Sequence, residues 1–256
     1  MSNSTIVLRP DADPEVSSVD GLLYHISDND TWANIRGGVG TLAQDNLNYA
    51  GIYMDPEGVP NGWDYLSRAI IVFPTNLLPE AAVISEAILY LYGYSKQDET
   101  GIAPDINIYS AAPASDAELT AGDYDSLGTI AYCDTPITYA NWSITGYNSF
   151  ILNATGLAAI SKTSPTAIGI RNANYDVANI EPPNVDGQYS GLDFFTSEQG
   201  YNYAPKLMIT YSSLGVGKYE ITVLEALRNI EMSAMGRVYV DEQGCLKYEN
   251  RYARNP

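Results

Sequence analysis

Short apolar runs of strand length recur along residues 1–213, and each is closed by a cluster of Asp, Asn, Gly, Pro or Ser. Apolar runs bounded by turn-forming residues read as β-strands. The spacing predicts strands at Ser4–Arg9, Leu22–Ile26, Tyr49–Met54, Tyr65–Phe73, Val83–Tyr92, Asp105–Ala111, Ser149–Asn153, Ala167–Arg171, Leu192–Thr196 and Lys206–Tyr211. In the run Val83–Tyr92 both alternating sets are largely apolar, with Ile84, Ile88, Tyr90 and Tyr92 on one face and Val83, Ala87, Leu89 and Leu91 on the other. A strand apolar on both faces belongs in the middle of a sandwich. Helical periodicity is scarce, one short helix being predicted at Thr155–Ser161. The pattern therefore predicts an all-β protein, a two-sheet jelly-roll-like sandwich.

The pattern changes after Tyr211. Residues 214–218 read as a linker, and Thr222-Val223-Leu224-Glu225 forms a capping box that opens a helix. Val223, Leu227, Ile230 and Ala234 share one face of that helix, and Arg237–Val240 with Cys245–Glu249 then predict a β-hairpin. The expected division is a sandwich at 1–213, the linker, and a helix-plus-hairpin appendage at 219–256. A piece of about 40 residues cannot hold a core alone, so its apolar face is expected to dock on another surface. Val223, Leu227, Ile230 and Ala234 are the expected assembly interface.

Composition narrows the partners. The 256 residues hold 31 acidic against 13 basic side chains, a net charge of −18, which repels nucleic-acid phosphates and anionic lipid. No nucleic-acid partner and no membrane insertion are expected. Met1–Thr5 runs into Ile6-Val7-Leu8 without a basic segment followed by a long apolar stretch, so no secretory leader is read there. Cys133 and Cys245 are the two cysteines, too few for a disulfide framework, and two free thiols are expected. Tyrosine stands out, with 21 copies against four phenylalanines, and such rings suit half-buried pleated surfaces.

Several blocks of the chain carry a resemblance. Trp32-Ala33-Asn34-Ile35-Arg36-Gly37-Gly38-Val39-Gly40 is followed by Tyr65–Phe73, by Leu78-Pro79 and by Ala87–Tyr92; Trp142 with Gly146–Asn153 comes later, then Phe195-Thr196-Ser197-Glu198 and Pro205–Tyr211. In these blocks residues 30–211 resemble the DNRLRE or disaggregatase-related β-sandwich domains. The resemblance implies an extracellular sandwich of the carbohydrate-binding-module kind. Where that family tends to show Phe-Asp-Thr, this chain has Phe73-Pro74-Thr75, so a role for that aspartate does not carry over. Leu224–Glu231, Met235–Asp241 and Glu249–Arg251 resemble segments of phage tail and virion-associated proteins.

The candidate chemistry points to binding rather than catalysis. His25 is the one histidine, which leaves nucleophilic triads and most zinc sites without their ligands. Carboxylate pairs abound in so acidic a chain, and their abundance is no sign of a glycosidase. No enzyme activity and no cofactor are expected, apart from a structural calcium, for which Asp28 and Asp30 offer oxygen ligands. The Asp11/Asp13, Asp28/Asp30 and Asp123/Asp125 steps also fall where turns are expected, and Asp favours turns through its own side chain. Sugar rings stack on exposed aromatic side chains. Trp32 and Trp142 read as core, whereas Trp63 in Pro60-Asn61-Gly62-Trp63-Asp64 is the expected exposed platform, with Tyr201 and Tyr203 next.

Two functions stay open. One is a structural or attachment protein of a virion, such as a phage tail, fibre or capsid surface, or of an extracellular assembly, with other copies of itself or neighbouring assembly proteins as partners. The alternative is a carbohydrate-binding module of a secreted or surface protein, with polysaccharide as partner. Both place the chain on a virion or at the outside of a cell.

Overall fold

The computed structural model describes residues 3–56, 62–185 and 188–213, together with the backbone of a hairpin at 236–240 and 246–250. Residues Asn3–Ser213 form one compact unit, and Leu214–Pro256 group with Met1–Ser2 in another. In the second unit β13 (Gly236–Val240) pairs antiparallel with β14 (Leu246–Asn250). The expected helix with Val223, Leu227, Ile230 and Ala234, and Cys245, lie outside the described residues.

The first unit is all-β. Its strands are β1 (Asn3–Leu8), β2 (Asp20–Asp30), β3 (Leu42–Gln44), β4 (Tyr49–Asp55), β5 (Trp63–Phe73), β6 (Ala82–Asp98), β7 (Ile106–Ala111), β8 (Leu127–Ala131), β9 (Tyr147–Ile151), β10 (Thr166–Asn172), β11 (Ser190–Phe195) and β12 (Lys206–Ser213). Every strand pair is antiparallel. One layer runs β1-β12-β6-β11-β4, with β9 also on β6; the other runs β3-β2-β5-β10-β7-β8. They join where Met54 and Asp55 of β4 pair with Leu66 and Tyr65 of β5. Beyond that junction β4 leaves the β5 edge, and the Ser67 hydroxyl supplies what the ladder no longer does, accepting from Tyr53 N–H and donating to Gly51 C=O.

Period-two alternation sets what lies between the layers. Ala50, Ile52, Leu89, Leu91, Leu192, Phe194, Leu207 and Ile209 come from the first layer; Leu22, Ala69, Ile71, Phe73, Ile108, Ile168 and Ile170 come from the second, all in one buried cluster. Each Leu, Ile and Phe among them contributes about 1.5–3 kcal/mol on leaving water, which makes this cluster a large source of stability. Trp142 is part of it.

The second layer has an apolar outer face as well, a departure from the simple two-sheet expectation. Leu23, Leu66, Ile70 and Val72 pack there beneath α1 (Trp32–Gly37) and the 3₁₀ turn Ala121–Ser126, which bring Trp32, Ile35 and Tyr124. Thr31 caps α1 by accepting from Asn34 N–H. The helix expected at Thr155–Ser161 is α2 (Ala154–Ala159), started by Asn153, whose side chain accepts from Gly156 N–H.

A buried ion cluster clasps this cover to the sheet. Asp176, fully buried, receives two hydrogen bonds each from Arg68 of β5 and Arg171 of β10, and Arg36 of α1 donates to its carbonyl. Burial alone raises a carboxyl pKa, but here the Arg68 and Arg171 charges and hydrogen bonds outweigh it and hold Asp176 below the ordinary range.

Candidate functional site

The first layer turns its core side inward, and the alternating positions put rings outside. On β6, Tyr90 and Tyr92 alternate with core Leu89 and Leu91; on β4, Tyr49 and Tyr53 alternate with Ala50 and Ile52; on β11, Phe195 and Asp193 alternate with Phe194 and Leu192. A register shift between Asp193 and Phe194 leaves Tyr94 of β6 without a paired residue on β11, and Tyr94 is 46% exposed. β9 adds Tyr147, and the turn before β12 adds Tyr203.

These rings touch in sequence. Tyr49 and Tyr94 are 5.5 Å apart between centroids, Tyr94 and Phe195 4.8 Å, Phe195 and Tyr203 5.2 Å, Tyr203 and Tyr92 5.0 Å, Tyr92 and Tyr147 5.2 Å, and Tyr147 and Tyr90 6.2 Å. At the β4 end a second set follows, Tyr53 lying 6.0 Å from Tyr189 and 6.3 Å from Tyr65, which lies 6.0 Å from Tyr24. Both sets border one cleft of about 420 Å³, lined by Tyr24, Tyr49, Tyr53, Tyr65 and Tyr189 with Ile26, Leu42 and Gln44. Cross-strand aromatic pairs also stabilise a sheet, by about 0.2–1 kcal/mol each. That role does not require hydroxyls, yet tyrosines hold nearly every position of the series.

Asp193 lies beneath the rings. It is 2% exposed, accepts from the Ser95 hydroxyl, and its Oδ1 has no partner among the described residues. Burial raises its pKa to about 6, with the Ser95 and Tyr53 hydroxyls pulling the other way. Gly51 and Gly191 make the room: a Cβ at Gly51 would collide with Asp193 Oδ1, and one at Gly191 with the Tyr53 ring. Asp55 beside Tyr65 is also raised to about 6, first by burial and then by the charges of Asp64 and Glu99. Burial and Asp193 raise the Tyr53 hydroxyl, and burial raises those of Tyr24 and Tyr65, so all three remain neutral donors at neutral pH.

The residues expected from the sequence divide. Tyr201 and Tyr203 are 72% and 37% exposed; Tyr203 joins the ring series and Tyr201 lies over Arg9. Trp63 corrects the expectation of an exposed platform. It is 1% exposed, 4.7 Å from the Trp32 ring, and its Nε1–H donates to Glu181. The physical reason is that Trp63 opens β5, opposite Asp30 of β2, and faces the covered side of the second layer. A ring enclosed there offers no face to a sugar.

Asp30 accepts from Thr31 N–H and lies 3.5 Å from His25 Nε2, while Asp28 is exposed. Among the described residues no group of three or more His, Cys, Asp or Glu side chains is placed to hold a metal. The other Asp steps serve turns: Asp11 accepts from Val16, Ser17 and the Ser17 hydroxyl, and Asp123 from Thr120 and Ala114. Cys133 is a buried free thiol.

The tyrosines of β4, β5 and β6 were missed as site residues because Tyr90 and Tyr92 read as a second apolar face. The available signal was the tyrosine excess: a buried face is built from Leu, Ile and Phe, whereas rings that end in hydroxyls suit a face that meets water.

Among the described residues no helix is long and apolar enough to cross a membrane. No family model matches the chain, and no curated protein does. The resemblance to the disaggregatase-related domains therefore rests on the quoted blocks alone. Among solved structures the chain is similar to one described as the xylan-binding module CBM15, at 8% identity and a TM-score of 0.33, over 83% of this chain and 99% of that one.

Proposed function

We propose that the outer face of the first layer is a non-catalytic binding surface for polysaccharide. The observation that carries this reading is the contiguous series of rings from Tyr49 to Tyr90, outside a layer whose other face already supplies a complete core. A pyranose ring offers an apolar C–H face that stacks on an aromatic ring and a rim of hydroxyls that bonds to tyrosine O–H, so a tyrosine face matches both parts of the ligand. The length of the series suits an extended chain rather than a single sugar. Asp193 is enclosed below the rings, which withholds the best-placed acid from a substrate and favours binding over hydrolysis.

Affinity electrophoresis of the full chain through gels containing soluble polysaccharides tests the reading. Retardation by at least one polymer is expected, with no release of reducing ends. Tyr94→Ala and Phe195→Ala should each weaken it by about 1–3 kcal/mol, the range of a binding hot spot, while Trp63→Ala should lower the melting temperature instead. Retention unchanged in both ring variants would remove the face from the binding site.

A further inference from the structure

Where the tyrosine face meets the β1–β12 edge its chemistry changes. A cleft of about 310 Å³ is lined there by Val7, Arg9, Tyr90, Tyr201, Lys206 and Met208. The Arg9 guanidinium lies 3.9 Å from the centroid of the Tyr201 ring, and Lys206 Nζ lies 3.8 Å from that of Tyr147 and 5.1 Å from that of Tyr90. Each cation is thus seated on a ring face, which fixes its position at low entropic cost.

What these two cations lack is a counter-ion. The ion pairs among the described residues involve His25, Arg36, Arg68 and Arg171, and neither Arg9 nor Lys206. Arg9 Nε is buried with no hydrogen-bond partner among those residues. In a chain with 31 acidic side chains and 13 basic ones, two cations that share a cleft without a carboxylate between them run against the composition. Their mutual repulsion is relieved by an anion that enters from outside.

We infer that this corner binds the carboxylate of a hexuronate carried by the polysaccharide on the tyrosine face, an inference that rests on the polysaccharide reading. The Arg9 guanidinium donates to one carboxylate oxygen, Lys206 supplies the second charge, and the exposed side of Tyr201 takes the uronate ring. The net charge of −18 sets a limit on the ligand. A polymer charged at every sugar is repelled along the rest of the surface, so the ligand is a mainly neutral chain with isolated carboxylates.

The test is a printed array of matched oligosaccharide pairs, each hexuronate-bearing member beside its carboxyl-reduced counterpart and a sulfated form of that counterpart, probed with the full chain. The expected result is a preference of roughly tenfold for the uronate members, the size of one charge-assisted hydrogen bond. The double variant Arg9→Gln, Lys206→Gln should lose that preference and keep its melting temperature. Equal binding of both members by the wild type overturns the inference and leaves the polysaccharide face standing, and this comparison needs no variant. A preference for the sulfated forms overturns the carboxylate assignment, as does a double variant that still prefers uronates. Binding to no member of the array overturns the polysaccharide reading itself, and the inference with it.

Discussion

At the scale of single residues, Asp193 shows how the face is built around a group that opposes folding at neutral pH. Its carboxyl titrates near pH 6 in the fold against 3.8 for the free group, because burial disfavours the charge. A raised carboxyl pKa means that the folded state binds the proton more tightly. The stability this supplies is complete below pH 3.8 and is lost as pH rises through about 6. Asp193→Asn cannot ionise, so it should be more stable than the wild type at pH 8, by at most about 3 kcal/mol at about 1.4 kcal/mol per unit. The advantage should fall away below pH 4. Denaturant melts of both proteins across that range measure the difference, and parallel curves would show that the fold leaves the Asp193 carboxyl at its ordinary value.

At the scale of elements, the sequence carried the strands and lost the cover and the face. The predicted runs from Ser4–Arg9 to Lys206–Tyr211 all overlap strands, because short apolar stretches closed by turn residues mark them, several with period-two alternation; Ser149–Asn153 overshoots β9 into the residue that caps α2. β3 and β8 escaped, being short and without such a run: Leu42-Ala43-Gln44 is placed by long-range contacts, its pairing to Leu22–Tyr24 and the packing of Ala43 on the covered face. Trp63 escaped for another reason. Pro60-Asn61-Gly62 reads as a loop, and nothing local shows that the next residue pairs with Asp30 across an irregular register. The Asp176 cluster is likewise long-range, since Arg36, Arg68 and Arg171 come from α1, β5 and β10. Its role in clasping those elements predicts that Asp176→Ala, which leaves buried guanidiniums uncompensated, destabilises the fold by about 3–5 kcal/mol. Thermal unfolding reads that loss; a change below about 1 kcal/mol would mean the cluster is not what holds α1 and the turn to the sheet.

At the scale of the molecule, the two faces of the sandwich are finished differently. The second layer covers its outer face with α1, a 3₁₀ turn and the Asp176 cluster, whereas the first layer leaves its rings facing outward. That asymmetry assigns binding to one face and stability to the other. It is tested most directly by amide chemical-shift mapping of the labelled chain as an oligosaccharide selected from the array is added. Shifts concentrated on β4, β6, β11 and the turn carrying Tyr201 and Tyr203 are expected, with Tyr49, Tyr94 and Phe195 among the largest. Shifts confined to α1 and the covered face of the second layer would contradict it.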